Sequence, residues 1–232
     1  MNLKQRSYQK ELLDNDHIPF ADIKKNMEEL DTINSLSGGH AITLKGFLSL
    51  LGNRKKLTVC EIGCGGGDNL QAIVQWCHKH QVTINCIGID LKQECIDLAR
   101  QRPLLQDNSY WIANDYAATR FDTKPDIIFS SLFCHHFTDE QLVSQLQWMR
   151  ANSALGFFIN DLHRHWLSYH FISLFSKLFS SSYLVKNDAP LSVRRGFVKQ
   201  EWVSLCNKAG ITDPVIRWEW AFRYLITVKH GV

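Results

Sequence analysis

The chain lacks a dominant charge of either sign: 26 Lys and Arg stand against 23 Asp and Glu, a formal net charge of +3 over 232 residues. Its densest basic run, Arg54-Lys55-Lys56, reads as a solvated turn before a strand, so no nucleic-acid footprint is expected. It also lacks an apolar run of bilayer length. The most apolar stretch, Trp166 to Phe179, is interrupted by serines and falls short of the ~20 residues a span requires. Membrane-surface contact through its aromatics stays open, although its one lysine, Lys177, offers little electrostatic help. The histidine pairs His78/His80 and His163/His165 have no cysteine pair at finger spacing, so no metal is expected. Cys60 and Cys64 share a CxxxC spacing, but the next ligand position is Gly67 and Cys60 lies inside a strand, which leaves no iron–sulfur site. With no secretory leader read ahead of them, the seven cysteines, mostly within apolar strands or helices, predict a reduced, cytoplasmic protein without disulfides. A hydrophobic content of 45% suffices for one well-buried α/β domain, and a second full domain is not expected.

What the chain does have is concentrated between Leu57 and Leu70, LTVCEIGCGGGDNL, an apolar strand that carries a carboxylate into a glycine turn and then a helix. Gly63, Gly65 and Gly67 permit positive φ and a close backbone approach to a ligand. In a dinucleotide fingerprint the third glycine follows the second by three residues and a pyrophosphate rests on the helix N-terminus; here that position is Asp68. Asp68 and Glu61 would both repel a phosphate, whereas the ammonium and sulfonium of S-adenosylmethionine would be attracted. A nicotinamide-dependent oxidoreductase is therefore disfavoured, and a glycine turn without a ligand is the plain alternative. About 20 residues on, the strand Asn85–Asp90 ends in a carboxylate at the spacing of a ribose ligand. Tyr110–Tyr116 places Asn114 and Asp115 after a third apolar run, where Asp115 is either an adenine contact or a helix cap.

Through Glu61-Ile62-Gly63-Cys64-Gly65-Gly66-Gly67, Gly88-Ile89-Asp90 and Asn114-Asp115, the chain resembles the class I S-adenosylmethionine-dependent methyltransferases from about Leu57 onward. That resemblance implies the methionine part of the cofactor at Gly63, Gly65 and Gly67, the ribose at Asp90 and the adenine at Asp115. Glu61, Cys64, Leu91, Asn114, Tyr116 and Ser131 complete the implied cofactor contacts, with S-adenosylhomocysteine as the product. More loosely, Ser131–Phe137 and Asn160–Arg164 resemble small-molecule methyltransferases of quinone biosynthesis and polyketide tailoring.

Strand and helix signals alternate as βαβ units. The implied fold is α/β, a Rossmann-like, mostly parallel seven-stranded sheet with an antiparallel C-terminal edge strand, a helical N-terminal cap and a helical lid insertion. Within a single domain, 1–232, the divisions are a cap over 1–52, a cofactor-binding core over 53–160, a lid and substrate segment over 161–198, and a final helix and hairpin over 199–232. In the cap, Ile23, Met27, Leu30, Ile33 and Leu36 have helical spacing. Gly38-Gly39-His40 then reads as a helix-ending turn or as a backbone contact to the methionine end. Glu61, Asp90, Asp115, Ser131 and Asp161 are all expected on the rim at the strand carboxyl ends.

Since the sulfonium is already activated, the protein must mainly align a nucleophile. For a phenolic acceptor, with a pKa of about 10, a histidine can take the proton. His135 and His136 after the fourth strand are the candidate bases, with His163 after the fifth; each can equally be structural. Asp161, Arg164, Arg194 and Phe197 are the candidate substrate contacts; in Arg194-Arg195 one arginine either clamps an anionic group, pairs with Asp161 or pins the lid through a salt bridge. The expected partner is a small apolar or aromatic acceptor, methylated at a phenolic or enolic oxygen. The alternatives are carbon methylation of a quinone precursor and a non-catalytic cofactor-binding subunit.

Overall fold

The computed structural model describes residues 3–15 and 17–231. Seven strands form one sheet in the order β3-β2-β1-β4-β5-β7-β6. The parallel strands are β1 (Lys56–Ile62), β2 (Thr83–Asp90), β3 (Ser109–Ala113), β4 (Ile127–Ser131) and β5 (Gly156–Leu162). β6 (Val215–Glu219) and β7 (Arg223–Lys229) form the expected hairpin, but the antiparallel strand β7 lies between β5 and β6, and β6 holds the edge. Alternate side chains of each strand enter opposite cores, as the period of two requires: Val59 packs with Ile42, Phe47 and Ile73, whereas its neighbour Cys60 packs with Leu142, Leu146 and Trp202. All seven cysteines are unpaired and buried.

The helices are α1 (Phe20–Leu36), α2 (Gly39–Leu51), α3 (Asp68–Lys79), α4 (Gln93–Arg100), α5 (Asp139–Asn152), α6 (Trp166–Phe179), α7 (Tyr183–Arg195) and α8 (Lys199–Lys208). α1 and α2 are the cap, separated at Gly38, which takes φ +77°, while Gly39 and His40 open α2. α6 occupies the predicted lid interval and packs against α7. Pro190 lies inside α7, and no helix was read there from sequence. None of the helices among the described residues is long and apolar enough to cross a membrane. The strand order reverses between β1 and β4, and the carboxyl ends of these strands open into a crevice at that switch point, where open α/β sheets bind ligands.

Candidate active site

That crevice is a cavity of about 1420 Å³. Its floor is the glycine turn after β1, where Gly63 and Gly65 take φ of +66° and +49°, values that L side chains adopt only at a cost. A Cβ on Gly63 would come within 2.2 Å of the Phe133 ring. Asp90 fastens the turn: one carboxylate oxygen accepts the Gly65 N–H at 2.9 Å and the other accepts the Lys92 N–H at 2.9 Å. A carboxylate has about four acceptor positions, so lone pairs remain for two ribose hydroxyls. Of the predicted cofactor contacts, Glu61, Gly63, Cys64, Gly65, Asp90, Leu91, Asn114, Asp115, Tyr116 and Ser131 all line the cavity. Gly67 does not: at φ +75° it packs against Trp111, Ala99 and Leu105, which makes it a turn residue at the head of α3. Asp115 accepts the Ala117 N–H at 2.9 Å and so caps its turn while facing the cavity.

Charge at the turn fits a cation. Burial pushes the Glu61 carboxyl well above its ordinary range, and the nearby Asp68 and Asp90 push the same way. Glu61 is 1% exposed and its Oε2 has no hydrogen-bond partner, a vacancy that costs free energy unless a donor fills it. Asp68 is engaged otherwise, accepting from Asn34 at 3.1 Å and pairing with His40 at 2.7 Å. The sequence reading missed a second unpartnered group on the wall. Arg223, from β7, is buried; its Nη2 donates to Asn34 Oδ1 at 2.8 Å, and its Nη1 has no partner. Burial lowers its guanidinium to about 10, against support from Asp161 and Asp68. A lone acceptor on Glu61 and a lone donor on Arg223 are the complement of an amino-acid zwitterion, the methionine end of S-adenosylmethionine. A buried arginine at the head of the strand is itself a signal, because a buried guanidinium is retained with partners or a ligand.

Opposite the turn, the two neighbouring histidines after β4 reach the cavity in different states. Asp161 does not face the cavity. Its Oδ2 accepts the N–H groups of Phe133, Cys134 and His135, and its Oδ1 is 2.8 Å from His135 Nδ1. The other ring nitrogen of His135 is 3.5 Å from Glu11 Oε1. Burial opposes charge on this ring, yet Asp161 and Glu11 outweigh it and raise His135 to about 9, so it is an imidazolium at neutral pH. His136 sits partly open on the wall, its Nδ1 3.0 Å from Asp14 Oδ1. Its Nε2 is 3.8 Å from Glu11 Oε2, so the ring stands between two carboxylates. Glu11 and Asp14, from a turn in the N-terminal arm, carry no periodic signal and were not read from sequence; both line the cavity. Arg195, buried, pairs with Asp14 at 3.3 Å and approaches Glu11 at 3.9 Å.

The remaining candidates lie outside the cavity wall. His163 accepts from Trp218 Nε1 at 3.1 Å, and burial with the neighbouring His165 and Arg164 lowers it to about 4. Arg164 forks onto Glu201 at 3.0 and 2.7 Å. Phe197 is buried beneath the Arg6 guanidinium, 4.2 Å from its centroid, and Arg194 holds the arm through its carbonyl, which accepts the Ser7 N–H at 3.0 Å. Together these groups pin the lid and arm to the core. Among the described residues, two clusters offer metal-type donors within 4.8 Å of one another, Glu11/His135/His136 and Asp31/His40/Asp68. Each already holds a fixed cation, Arg195 beside the first and Arg102, 2.8 Å from Asp31, beside the second.

Residues 59–152 match the methyltransferase domain family. The fold is similar to that of the plantazolicin methyltransferase BpumL in complex with SAH (TM-score 0.62, 19% identity, covering 85% of this chain and 72% of that one). It is also similar to magnesium protoporphyrin IX methyltransferase (ChlM) from Synechocystis PCC 6803 with bound SAH (TM-score 0.54, 14% identity, 94% and 90% covered). A third similar structure is human N-acetylserotonin methyltransferase in complex with SAM (TM-score 0.65, 13% identity), where the match covers 92% of this chain and 57% of the human one. No curated protein matches the sequence. Residues 59–152, which span the glycine turn and the strand-end carboxylates on the cavity, thus form a methyltransferase domain by their family match, and the fold of the whole chain is similar to that of methyltransferases solved with SAM or SAH.

Proposed function

We propose that the protein methylates a small, apolar aromatic acceptor at a phenolic or enolic oxygen. The volume supports two occupants: about 1420 Å³ exceeds the ~300–1,000 Å³ of a single-ligand pocket. Beyond the glycine turn, Met27, Leu30 and Ile33 of α1 and Phe171, Ile172 and Phe175 of α6 give the wall an apolar part. A polar or strongly charged acceptor would be poorly matched there.

The observation that carries the reading is the Asp14–His136 pair on this wall. When bound, S-adenosylmethionine supplies an activated methyl group on a sulfonium. The chain's own work is to hold the acceptor oxygen in line and to accept its proton. Glu61 Oε2 and Arg223 Nη1 hold the two ends of the cofactor's amino-acid part, and Asp90 holds the ribose. With the methyl group supplied by the bound cofactor, His136 Nε2 would take the phenolic proton of the acceptor. Asp14 fixes the tautomer of that ring and stabilises its charge. The His135 imidazolium, held by Asp161 and Glu11, favours the developing phenolate from the same wall.

Incubation with S-adenosylmethionine and a panel of phenols and naphthols should release S-adenosylhomocysteine and give products heavier by one methylene. His136→Asn should slow turnover by about 10²–10⁴-fold while leaving cofactor affinity unchanged. Methylation confined to carbon or nitrogen acceptors, or an unaltered rate in this variant, would contradict the reading.

A further inference from the structure

Helix α6 is apolar on the wrong side for a helix that meets only water. Its buried residues are Ser168 and Ser176, whereas Leu167, Phe171, Leu174 and Leu178 are 44%, 64%, 61% and 66% exposed. These four recur at spacings of three and four, so they form one outward stripe. Phe179 extends it at 73% exposure. At the other end, Trp166 and Trp220, 57% and 69% exposed, are joined through the rings of His165 and Phe222, which stack at 5.3 Å. Monomers rarely leave so large an apolar face uncovered.

We propose that this face docks on a lipid bilayer surface, with the mouth of the cavity against the lipid. The stripe and the mouth are continuous: Leu167, Phe171 and Trp220 belong to both. An occupant of the stripe therefore also covers the route by which an apolar acceptor enters. A folded protein seated there would close that route, whereas a bilayer both covers the stripe and supplies apolar molecules to the cavity. The composition agrees. α6 has no acidic residue, its one cation, Lys177, is exposed at the C-terminal end, and tryptophans flank the other end at the position of an interfacial belt. The helix lies on the surface and does not span it. The class of acceptor this favours is a phenol or enol that carries a hydrocarbon chain.

The inference rests on the apolar cavity of the proposed function, and vesicle binding is read without turnover, so the two can fail separately. Co-sedimentation of the full chain with phosphatidylcholine vesicles, with and without phosphatidylglycerol, should show binding to both. The double variant Leu174→Ser/Leu178→Ser, at positions off the cavity wall, should bind at least about tenfold more weakly with unchanged affinity for S-adenosylhomocysteine. Failure of the unmodified protein to sediment with either vesicle would overturn the inference, as would equal binding of the variant. So would a protein that is dimeric in solution, ignores vesicles and becomes monomeric in the variant, because the face would then be a contact between copies.

Discussion

Arg223→Met is the sharpest test of how the cofactor's amino-acid end is held. The guanidinium is 4% exposed, makes one hydrogen bond, to Asn34 Oδ1 at 2.8 Å, and has a free Nη1. Its pKa falls from 12.5 to about 10 because burial outweighs the support of Asp161 and Asp68. At about 1.4 kcal/mol per pKa unit, the charge costs the empty protein about 3 kcal/mol. Methionine removes that cost together with the Asn34 bond, worth about 1.5–3 kcal/mol to a charged donor. The two nearly cancel, so the melting temperature should move by no more than about 5 °C in a chain of this length. Binding behaves differently. Loss of a charge-assisted bond to a carboxylate should weaken S-adenosylhomocysteine by about 10- to 150-fold. Methylthioadenosine, which has the same nucleoside and no amino-acid group, should bind the variant and the unmodified protein equally well. Calorimetric titration of both ligands against both proteins reads this out. Unchanged affinity for S-adenosylhomocysteine, or equal losses for the two ligands, would refute the assignment.

Two further outcomes follow from the same site. Asp90→Ala removes the acceptors of the Gly65 and Lys92 N–H groups as well as the ribose contact. Its cofactor affinity should fall by at least about 30-fold, the equivalent of one charge-assisted bond, and retained affinity would refute the ribose assignment. For pH, His135 is raised to about 9 in the folded chain against about 6.5 unfolded. Its contribution to stability is therefore fully present below pH 6.5 and is lost as the pH rises through 9, a loss of about 3 kcal/mol. Urea unfolding at pH 6 and pH 10 should show that loss in the unmodified protein and not in His135→Gln; parallel pH curves for the two would contradict the clamp by Asp161 and Glu11.

The parallel part of the sheet was legible in the sequence because buried parallel strands read as short apolar runs ended by a carboxylate or a glycine; β1 and β2 both announce themselves so. The carboxylates that line the cavity came with them, since Glu61, Asp90 and Asp115 lie at or just beyond strand ends and the topology brings strand ends to one rim. The substrate half was less legible. Asp161 follows Asn160 in β5, and the alternation of a strand turns the two to opposite faces, which sends Asp161 toward three loop amides rather than into the cavity. Arg164 and Phe197 sit beside the rim in sequence, yet their partners, Glu201 and Arg6, are distant residues that no local pattern reveals. Glu11 and Asp14 are part of the site only because the arm folds back onto the histidine turn. The proline inside α7 hid that helix, and the outward stripe of α6 has the periodicity of an ordinary buried face, so the sequence does not separate a lid packed on the core from a helix at a membrane surface.

The central claim is that the glycine turn and its three carboxylates select a sulfonium cofactor over a phosphate-bearing one. Isothermal titration of the purified protein with S-adenosylmethionine, S-adenosylhomocysteine and reduced nicotinamide dinucleotide tests it most directly. The account predicts saturable one-to-one binding of both adenosyl ligands and none of the dinucleotide; binding of the dinucleotide alone, or of no ligand at all, would contradict it.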